Sequence, residues 1–204
     1  DLTKSALVSG LDNLPATNSL YYDDVYQSQF DASVLHCVQV KSPDLPEEVT
    51  HGVVLDRTCF YPEGGGQEAD FGTLATDSVH CRVLDTRKIG EHIVHFTDSA
   101  LSNGDVVRGS VDWNRRKQLM DHHTSVHIVG GAARRILGPH IYQAGANKSE
   151  ESARLDITHY NRLSRQDLDE IERMANQVIV QVHKTEKTIL NRKDADRKHG
   201  FDLY

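Results

Sequence analysis

The sequence is poor in residues that would tie a small fold together covalently or carry it through a membrane. It has only three cysteines in 204 residues, Cys37, Cys59 and Cys81. Their number is odd, and none of them shares the Cys-x-x-Cys spacing of a zinc knuckle or redox pair. We therefore expect a reducing, cytoplasmic compartment. Because no apolar run approaches the roughly 20 residues of a membrane-spanning helix, we expect no membrane partner.

Two familiar catalytic signatures are also missing. A run of three glycines at residues 64–66 is not followed by Gly-Lys-Ser/Thr, which excludes a P-loop. An HxxxH pattern formed by His123 and His127 has Thr124 where a zinc protease has its general-base glutamate, which excludes that class.

The composition is that of a globular protein, with 38% hydrophobic and 26% charged residues and a mean hydropathy of −0.52. The net charge of −7 argues against non-specific binding of nucleic acid, although it permits a local basic patch. The first residue is Asp1 rather than Met, and the chain stops at Tyr204 without a cap or polar tail. We expect a segment of a longer protein.

Short β-strands dominate the first half of the pattern. Residues 1–19 are polar and turn-rich, and we expect a tail or linker with little structure. Residues 20–111 contain apolar and β-branched runs with turn signals between them, which predict a small antiparallel β-barrel-like domain. We place strands at residues 32–40, 52–56, 79–84, 92–96 and 106–111.

The pattern becomes helical at Asp112, a plausible N-cap for a helix that ends at Leu137 before Gly-Pro. A strand pair at 140–143 and 153–159 follows, then a helix capped by Ser164 and a short helix after Asn191. Seven apolar residues between 168 and 182 repeat at helical spacing and predict a core stripe. Residues 112–204 therefore predict a helix-on-antiparallel-sheet domain, and the whole chain an α+β fold.

Residues at i and i+4 of a helix lie on one face, so His123 and His127 can bind one zinc ion together. The other interpretation is a pair of histidines satisfied by hydrogen bonds on a half-buried helix. The glycine run has two interpretations as well. It is a flexible turn, or a backbone that takes positive φ and approaches a ligand closely.

Several motifs occur together in one order. The segment 56–72, with Gly-Gly-Gly-Gln, resembles the glycine-rich motif of the alanyl-tRNA synthetase editing domain and its free-standing relatives. His123-Thr-Ser-Val-His127 resembles that family's zinc half-site. The segments 138–145 and 154–159 resemble its next two motifs, and 198–204 resembles the run before its second zinc motif.

The resemblance implies hydrolysis of the ester of tRNA(Ala) charged wrongly with serine or glycine. A synthetase pocket for alanine rejects an isostere with one added hydroxyl by only about 100-fold, so a second site must remove the error. We expect water to attack the ester. Zinc would activate that water, polarise the carbonyl, or hold the amino group or the terminal adenosine, and the residues do not choose among these roles.

The resemblance also assigns residues. His123 and His127 are two of four zinc ligands, and the family's remaining cysteine and histidine have no match in this chain. Thr58 reads the serine hydroxyl or is an ordinary strand threonine, and Gln143 lies at the pocket edge. The substrate-binding residues are expected to be Gly64, Gly65, Gly66 and Gln67, together with Arg154 and Asp156. For Arg154, Asp156 and the neighbouring His159, the alternative is a structural pairing outside the pocket.

The expected partner is the acceptor end of tRNA(Ala), along with the remaining synthetase domains of a longer chain. Arg115, Arg116 and Lys117 would contact its phosphates, or they form a solvated helix face. We expect the active site between the two domains, with Thr58 and the glycine run facing the histidines. We expect no amino-acid activation, because no aminoacylation motif is present.

Other functions fit parts of the pattern. A free-standing trans-editing deacylase would carry the same motifs, and a fragment without all its zinc ligands could bind the acceptor end without catalysis. A threonyl-tRNA editing domain fits less well, because the Gly-Gly-Gly-Gln segment matches the alanyl family better.

Overall fold

The computed structural model describes residues 10–185 and 188–200. The chain divides into two compact units, Asp1–Met120 and Asp121–Tyr204. No helix in the described ranges has the length and apolar character needed to cross a bilayer.

The first unit is built on a closed barrel of six antiparallel strands in the order β2-β3-β7-β6-β5-β8. A two-stranded parallel pair of β1 and β4 accompanies it. The bounds of the eight strands are Asn18–Ser19 (β1), Gln29–Gln39 (β2), His51–Leu55 (β3), Arg57–Thr58 (β4), Gly72–Ala75 (β5), His80–Ile89 (β6), His92–Thr97 (β7) and Val106–Val111 (β8).

Side chains that point inward at alternate positions along the strands fill the barrel interior. Phe30, Ala32 and Val34 of β2 are buried, while the residues between them are less enclosed. Strands β3 and β7 are buried almost throughout, and this explains their continuous apolar character. The predicted barrel is therefore confirmed, although β5 was not among the strands predicted from the sequence.

Residues 10–19 differ from the predicted tail. Leu11 is buried in the apolar cluster with Val40 and Val94. The hydroxyl of Thr17 donates to the Leu55 carbonyl at 3.2 Å and accepts from the Ile93 amide at 3.1 Å. These contacts make the segment part of the barrel unit. Residues 1–9 of the predicted tail lie outside the described residues.

The second unit combines helices with a two-stranded antiparallel sheet. Its elements are the later part of α1 (Trp113–Leu137), β9 (Gln143–Lys148), β10 (Ala153–Ile157), α2 (Arg165–Val180) and α3 (Arg192–His199). Its core contains Ala132 and Ala133 of α1, Ile141, and Ile171 and Ala175 of α2. The α+β class predicted from the sequence is confirmed.

Local capping signals predicted the helix ends well. Ser164 and Asp167 form a complete capping box at α2, and the Asn191 side chain caps α3. The first strand of the pair in the second unit was predicted at residues 140–143. This bound was wrong, because β9 begins at Gln143 and runs to Lys148. The four residues 201–204 of the last family-like segment lie outside the described residues.

The predicted core stripe of α2 was only partly correct. Ile171 and Ala175 are buried, but Leu168 and Ile179 are about half exposed, and Val182 lies beyond the helix end. The periodicity predicted the helix correctly, but periodicity alone does not show how much of an apolar helix face is covered by other elements.

Gly72 provides a test of packing in the barrel. A Cβ at this position would lie 2.1 Å from the backbone oxygen of Ser110 and 2.9 Å from the Phe60 ring. We predict that Gly72→Ala lowers the free energy of unfolding by about 1–3 kcal/mol, because the strand must shift. Urea unfolding measures the change. Gly64→Ala is the control, since its Cβ would meet nothing closer than 3.5 Å; equal losses in both variants would contradict this packing.

Candidate functional site

The glycine run forms a tight turn. Gly64 and Gln67 exchange two backbone hydrogen bonds, of 3.1 and 3.0 Å, around Gly65 and Gly66. These two glycines have φ values of 59° and 75°, which only glycine adopts without strain. Positive φ is thus confirmed at two of the three glycines, whereas the close approach of a ligand to Gly64, Gly65, Gly66 and Gln67 stays a prediction. Gln67 is buried, so its side chain lies against the unit rather than in solvent.

A buried carboxylate closes the base of this loop. The Tyr61 amide donates to Asp70 Oδ2 at 2.7 Å, and the Asp70 amide donates back to the Tyr61 carbonyl at 3.0 Å. The Arg116 guanidinium binds Asp70 through both Nε and Nη2, and it also donates to the Cys59 carbonyl at 2.6 Å. Both charged side chains are almost wholly buried. The two ends of the loop are therefore fixed to the first turn of α1.

Arg115 makes a parallel set of contacts. Its Nη2 lies 2.7 Å from Glu68 Oε2, its Nε donates to the Ala69 carbonyl, and its guanidinium lies 4.0 Å from the centre of the Phe71 ring. Both interpretations of Arg115 and Arg116, a phosphate contact and a solvated helix face, require exposed side chains. Both are buried, and we correct their role to a structural one. Lys117 is exposed.

Thr58 lies inside the barrel unit, with no exposed surface. Its Oγ1 lies 2.8 Å from His95 Nε2 and accepts from the Phe60 amide at 3.0 Å. His95 Nδ1 lies 3.0 Å from the Val53 carbonyl. A carbonyl only accepts, so Nδ1 carries the proton and the Thr58 hydroxyl donates to Nε2. Because Thr58 has no exposed surface, it cannot contact a substrate hydroxyl in this structure. We correct its predicted role to a structural one, in which its hydroxyl connects His95 to the Phe60 amide.

The two histidines of the HxxxH pattern lie side by side on α1. The ring centroids of His123 and His127 are 5.1 Å apart, and the rings are inclined by only 19°. Desolvation lowers the pKa of both imidazoles, and the nearby charge of Lys148 lowers it further. Both rings are therefore neutral near pH 7, the form that binds a metal or accepts a proton from water.

The predicted pocket residues on the strands belong to the second unit. Gln143, at the start of β9, is exposed. Arg154 Nε and Asp156 Oδ1 form an ion pair of 3.2 Å, in which the arginine is largely exposed and the aspartate about half exposed. Beyond β10, His159 Nδ1 lies 2.9 Å from His140 Nε2. Arg154 and Asp156 thus pair with each other, while His159 has a different partner.

The metal-ligand set is incomplete in the described ranges, which hold no group of three or more histidine, cysteine or acidic residues able to bind a metal ion. The cysteines do not add to the histidine pair; burial raises the pKa of the Cys59 and Cys81 thiols to about 11. Protein zinc sites have at least three protein ligands. The described residues alone therefore do not fit zinc.

Three residues that shape these sites were not assigned roles from the sequence. His95 was detectable as a polar residue within the apolar run of β7. Asp70 stands near the glycine run but carries no charge partner close in sequence. Nothing in the sequence around Lys148 indicated that this lysine is buried, because its burial depends on how the sheet packs.

His95 predicts a specific pH dependence. Burial lowers its pKa to about 4, from 6.5 for an ordinary histidine. The neutral ring therefore stabilises the fold above pH 6.5, and about 3 kcal/mol of this stability is lost as the pH falls toward 4. We predict that His95→Gln reduces the loss of unfolding free energy between pH 7 and 4, measured by urea unfolding.

The exposed His80 supplies the control for this measurement. His80→Gln should keep the wild-type pH dependence. A His95→Gln protein with an unchanged slope would contradict a neutral buried imidazole in the native state.

Comparison with known proteins agrees with the resemblance noted in the sequence. The chain is 45% identical over 192 residues to an alanine–tRNA ligase of Natronomonas pharaonis and 43% identical over 194 residues to that of Pyrococcus furiosus. Each match covers 94% of this chain but 20% of the relative, so the chain spans about a fifth of their length. A family model described as tRNA synthetases class II (A) matches residues 3–115, more than half of the chain. The chain belongs to the class II (A) tRNA synthetase family.

Proposed function

We propose that this chain is the editing part of an alanine–tRNA ligase and hydrolyses the ester of serine or glycine on tRNA(Ala). The similarity to alanine–tRNA ligases supports the choice of tRNA. The paired, neutral imidazoles of His123 and His127 are the observation that carries the proposal.

Ester hydrolysis needs a water molecule that loses a proton as it attacks the acyl carbon. Neutral imidazole is the side chain best matched to this proton transfer near pH 7. The new bond joins water oxygen to the acyl carbon, and the bond to the ribose oxygen breaks. That oxygen takes a proton as it leaves. The products are the free amino acid and uncharged tRNA.

Gln143 is the second residue of the proposed site. Its exposed amide both donates and accepts hydrogen bonds, so it can bind the serine hydroxyl or the ester carbonyl. A polar group that bonds the extra hydroxyl favours serine over alanine. This role replaces the one first predicted for Thr58.

A zinc ion at this site would need ligands beyond those that the described residues provide. His123 and His127 would hold the ion together with further ligands, and bound zinc would activate water or polarise a carbonyl. Because two ligands do not make a zinc site, no step here depends on the metal.

The tRNA contact follows from the same proposal. Lys117 is the member of the predicted basic cluster whose exposed side chain can reach a phosphate. The rest of the ligase would then supply most of the affinity for tRNA, consistent with the net charge of −7. The incomplete ligand set favours one other candidate function, a fragment that binds the acceptor end without hydrolysing it.

Deacylation assays separate these functions. We predict that the chain releases serine from Ser-tRNA(Ala) at least about tenfold faster than alanine from Ala-tRNA(Ala). His123→Ala and His127→Ala should each slow serine release by about 100-fold or more, because the proton acceptor is lost. Total zinc is measured in the same samples.

His80→Ala is the matched control, since this histidine is exposed at the start of β6. Its rate should equal that of the wild type. Binding of tRNA without release of serine would support the binding fragment instead. Equal release of serine and alanine would refute editing selectivity.

A further inference from the structure

Three rings of the second unit lie against one another, and the proposed reaction assigns them no role. The ring centroids of His140 and His159 are 5.2 Å apart, and the planes are inclined by 23°. The Tyr160 ring lies 5.2 Å from the first ring and 4.9 Å from the second, inclined by 34° to each. Tyr160 is 79% exposed, so most of its ring is left to solvent. We call these three residues the ring cluster.

Hydrogen bonds hold the ring cluster in place. The Thr158 amide donates to the Tyr142 carbonyl at 3.0 Å, and the Tyr142 amide donates to Thr158 Oγ1 at 2.8 Å. The same hydroxyl donates to the His140 carbonyl at 2.7 Å, and a bond of 2.9 Å joins His140 Nε2 to His159 Nδ1. The rings are therefore positioned before a ligand binds, which lowers the entropic cost of binding.

A cleft of about 470 Å³ adjoins the ring cluster at the end of α1. It is lined by Gly131, Arg134, Arg135, Gly138 and Pro139. A Cβ at Gly138 would lie 3.2 Å from His140 Nδ1, so the cleft and the rings are neighbours. The Arg134 guanidinium lies 4.7 Å from the centre of the Tyr142 ring. The side chain of Arg135 is exposed.

The surroundings of the ring cluster are basic, although the whole chain carries a net charge of −7. Residues 131–147 and 157–166 contain four arginines and no acidic residue. Asp167, the carboxylate that follows, accepts hydrogen bonds from the amide and hydroxyl of Ser164 at 2.8 and 2.6 Å. Arg165 forms an ion pair with Asp169. Arg135 and Arg162, both exposed, are the arginines best placed to bind an anionic ligand.

We propose that the ring cluster and the adjoining cleft bind single-stranded RNA, namely the nucleotides that precede the terminal adenosine of the tRNA acceptor end. A base would stack on the exposed Tyr160 ring, and Arg135 would bind a phosphate. Aromatic rings beside arginines are the combination with which proteins hold single-stranded nucleic acid. Arginines in the last turn of a helix also complement its dipole, but that role requires no exposed ring beside them.

The place of the cleft along α1 suits this ligand. Arg135 follows His127 by eight residues, which corresponds to about 12 Å along the helix axis. A few nucleotides span this distance. The inference therefore rests on the proposed function, in which the acyl end of the tRNA lies at the histidine pair. A protein partner fits the surface less well, because the exposed Thr158 and Asn161 beside Tyr160 are polar.

The test measures binding of a fluorescent minihelix that copies the acceptor stem of tRNA(Ala) with its single-stranded 3′ end. We predict that Tyr160→Ala weakens binding at least about fivefold, because a base loses its stacking partner. Tyr160→Phe keeps the ring and should bind like the wild type. Arg135→Gln should weaken binding and reduce the salt dependence, lowering the slope of log affinity against log salt by about 1.

Matched variants of the barrel unit serve as controls. Tyr26 is 71% exposed, and Arg108 is exposed as well. Tyr26→Ala and Arg108→Gln should leave affinity and salt dependence unchanged. A second minihelix lacks the single-stranded 3′ end, and the wild type and Tyr160→Ala should bind it equally. Thermal unfolding verifies that each variant is folded.

Equal affinities of Tyr160→Ala and Tyr160→Phe for the complete minihelix would overturn the inference. So would a loss of affinity in Tyr160→Ala that persists on the minihelix without its 3′ end. Ring-dependent binding of the 3′ end with no release of serine from Ser-tRNA(Ala) would support the inference while refuting the proposed function. Serine release by the wild type, with unchanged minihelix binding by Tyr160→Ala, would do the reverse.

Discussion

The buried ion pair between Asp70 and Arg116 is the interaction on which the barrel unit's loop geometry depends. Removing one partner would leave the other charge uncompensated in a dry interior, at a cost of about 3–5 kcal/mol. The pair does more than neutralise charge. Asp70 also receives the Tyr61 amide, and Arg116 also binds the Cys59 carbonyl. One salt bridge thus fixes both ends of the glycine loop to the first turn of α1, and this explains why Arg116 is buried although Lys117 beside it is exposed.

Periodicity and capping residues predicted the elements, whereas long-range packing decided which side chains are available. The α1 limits followed from Asp112 and the Gly-Pro after Leu137, and the Ser164 cap was recognisable because it is local. The burial of Thr58 depends on His95, 37 residues away, and could not be read from its neighbours. For the same reason a run of arginines looked like a phosphate site, although its partners are contributed by residues 68–70.

The two units treat buried positive charge differently. In the barrel unit, Arg115 and Arg116 bind carboxylates and hold backbone in place. In the second unit, Lys148 influences two imidazoles that remain partly accessible. The imidazoles of His123 and His127 are accessible to a ligand, whereas Thr58 and His95 are wholly buried. This difference in exposure is why the proposed chemistry is assigned to the histidine pair.

The central claim, that the acyl end of tRNA binds at the histidine pair, is tested most directly by NMR. The ligand is adenosine carrying serine through a non-hydrolysable 3′-amide, added to the isotopically labelled chain. The account predicts shifts of the His123 and His127 ring signals and of the Gln143 side-chain amide, with the His95 ring unchanged. Shifts confined to His95 and the Thr58 region, or none in the histidine pair at saturation, would contradict it.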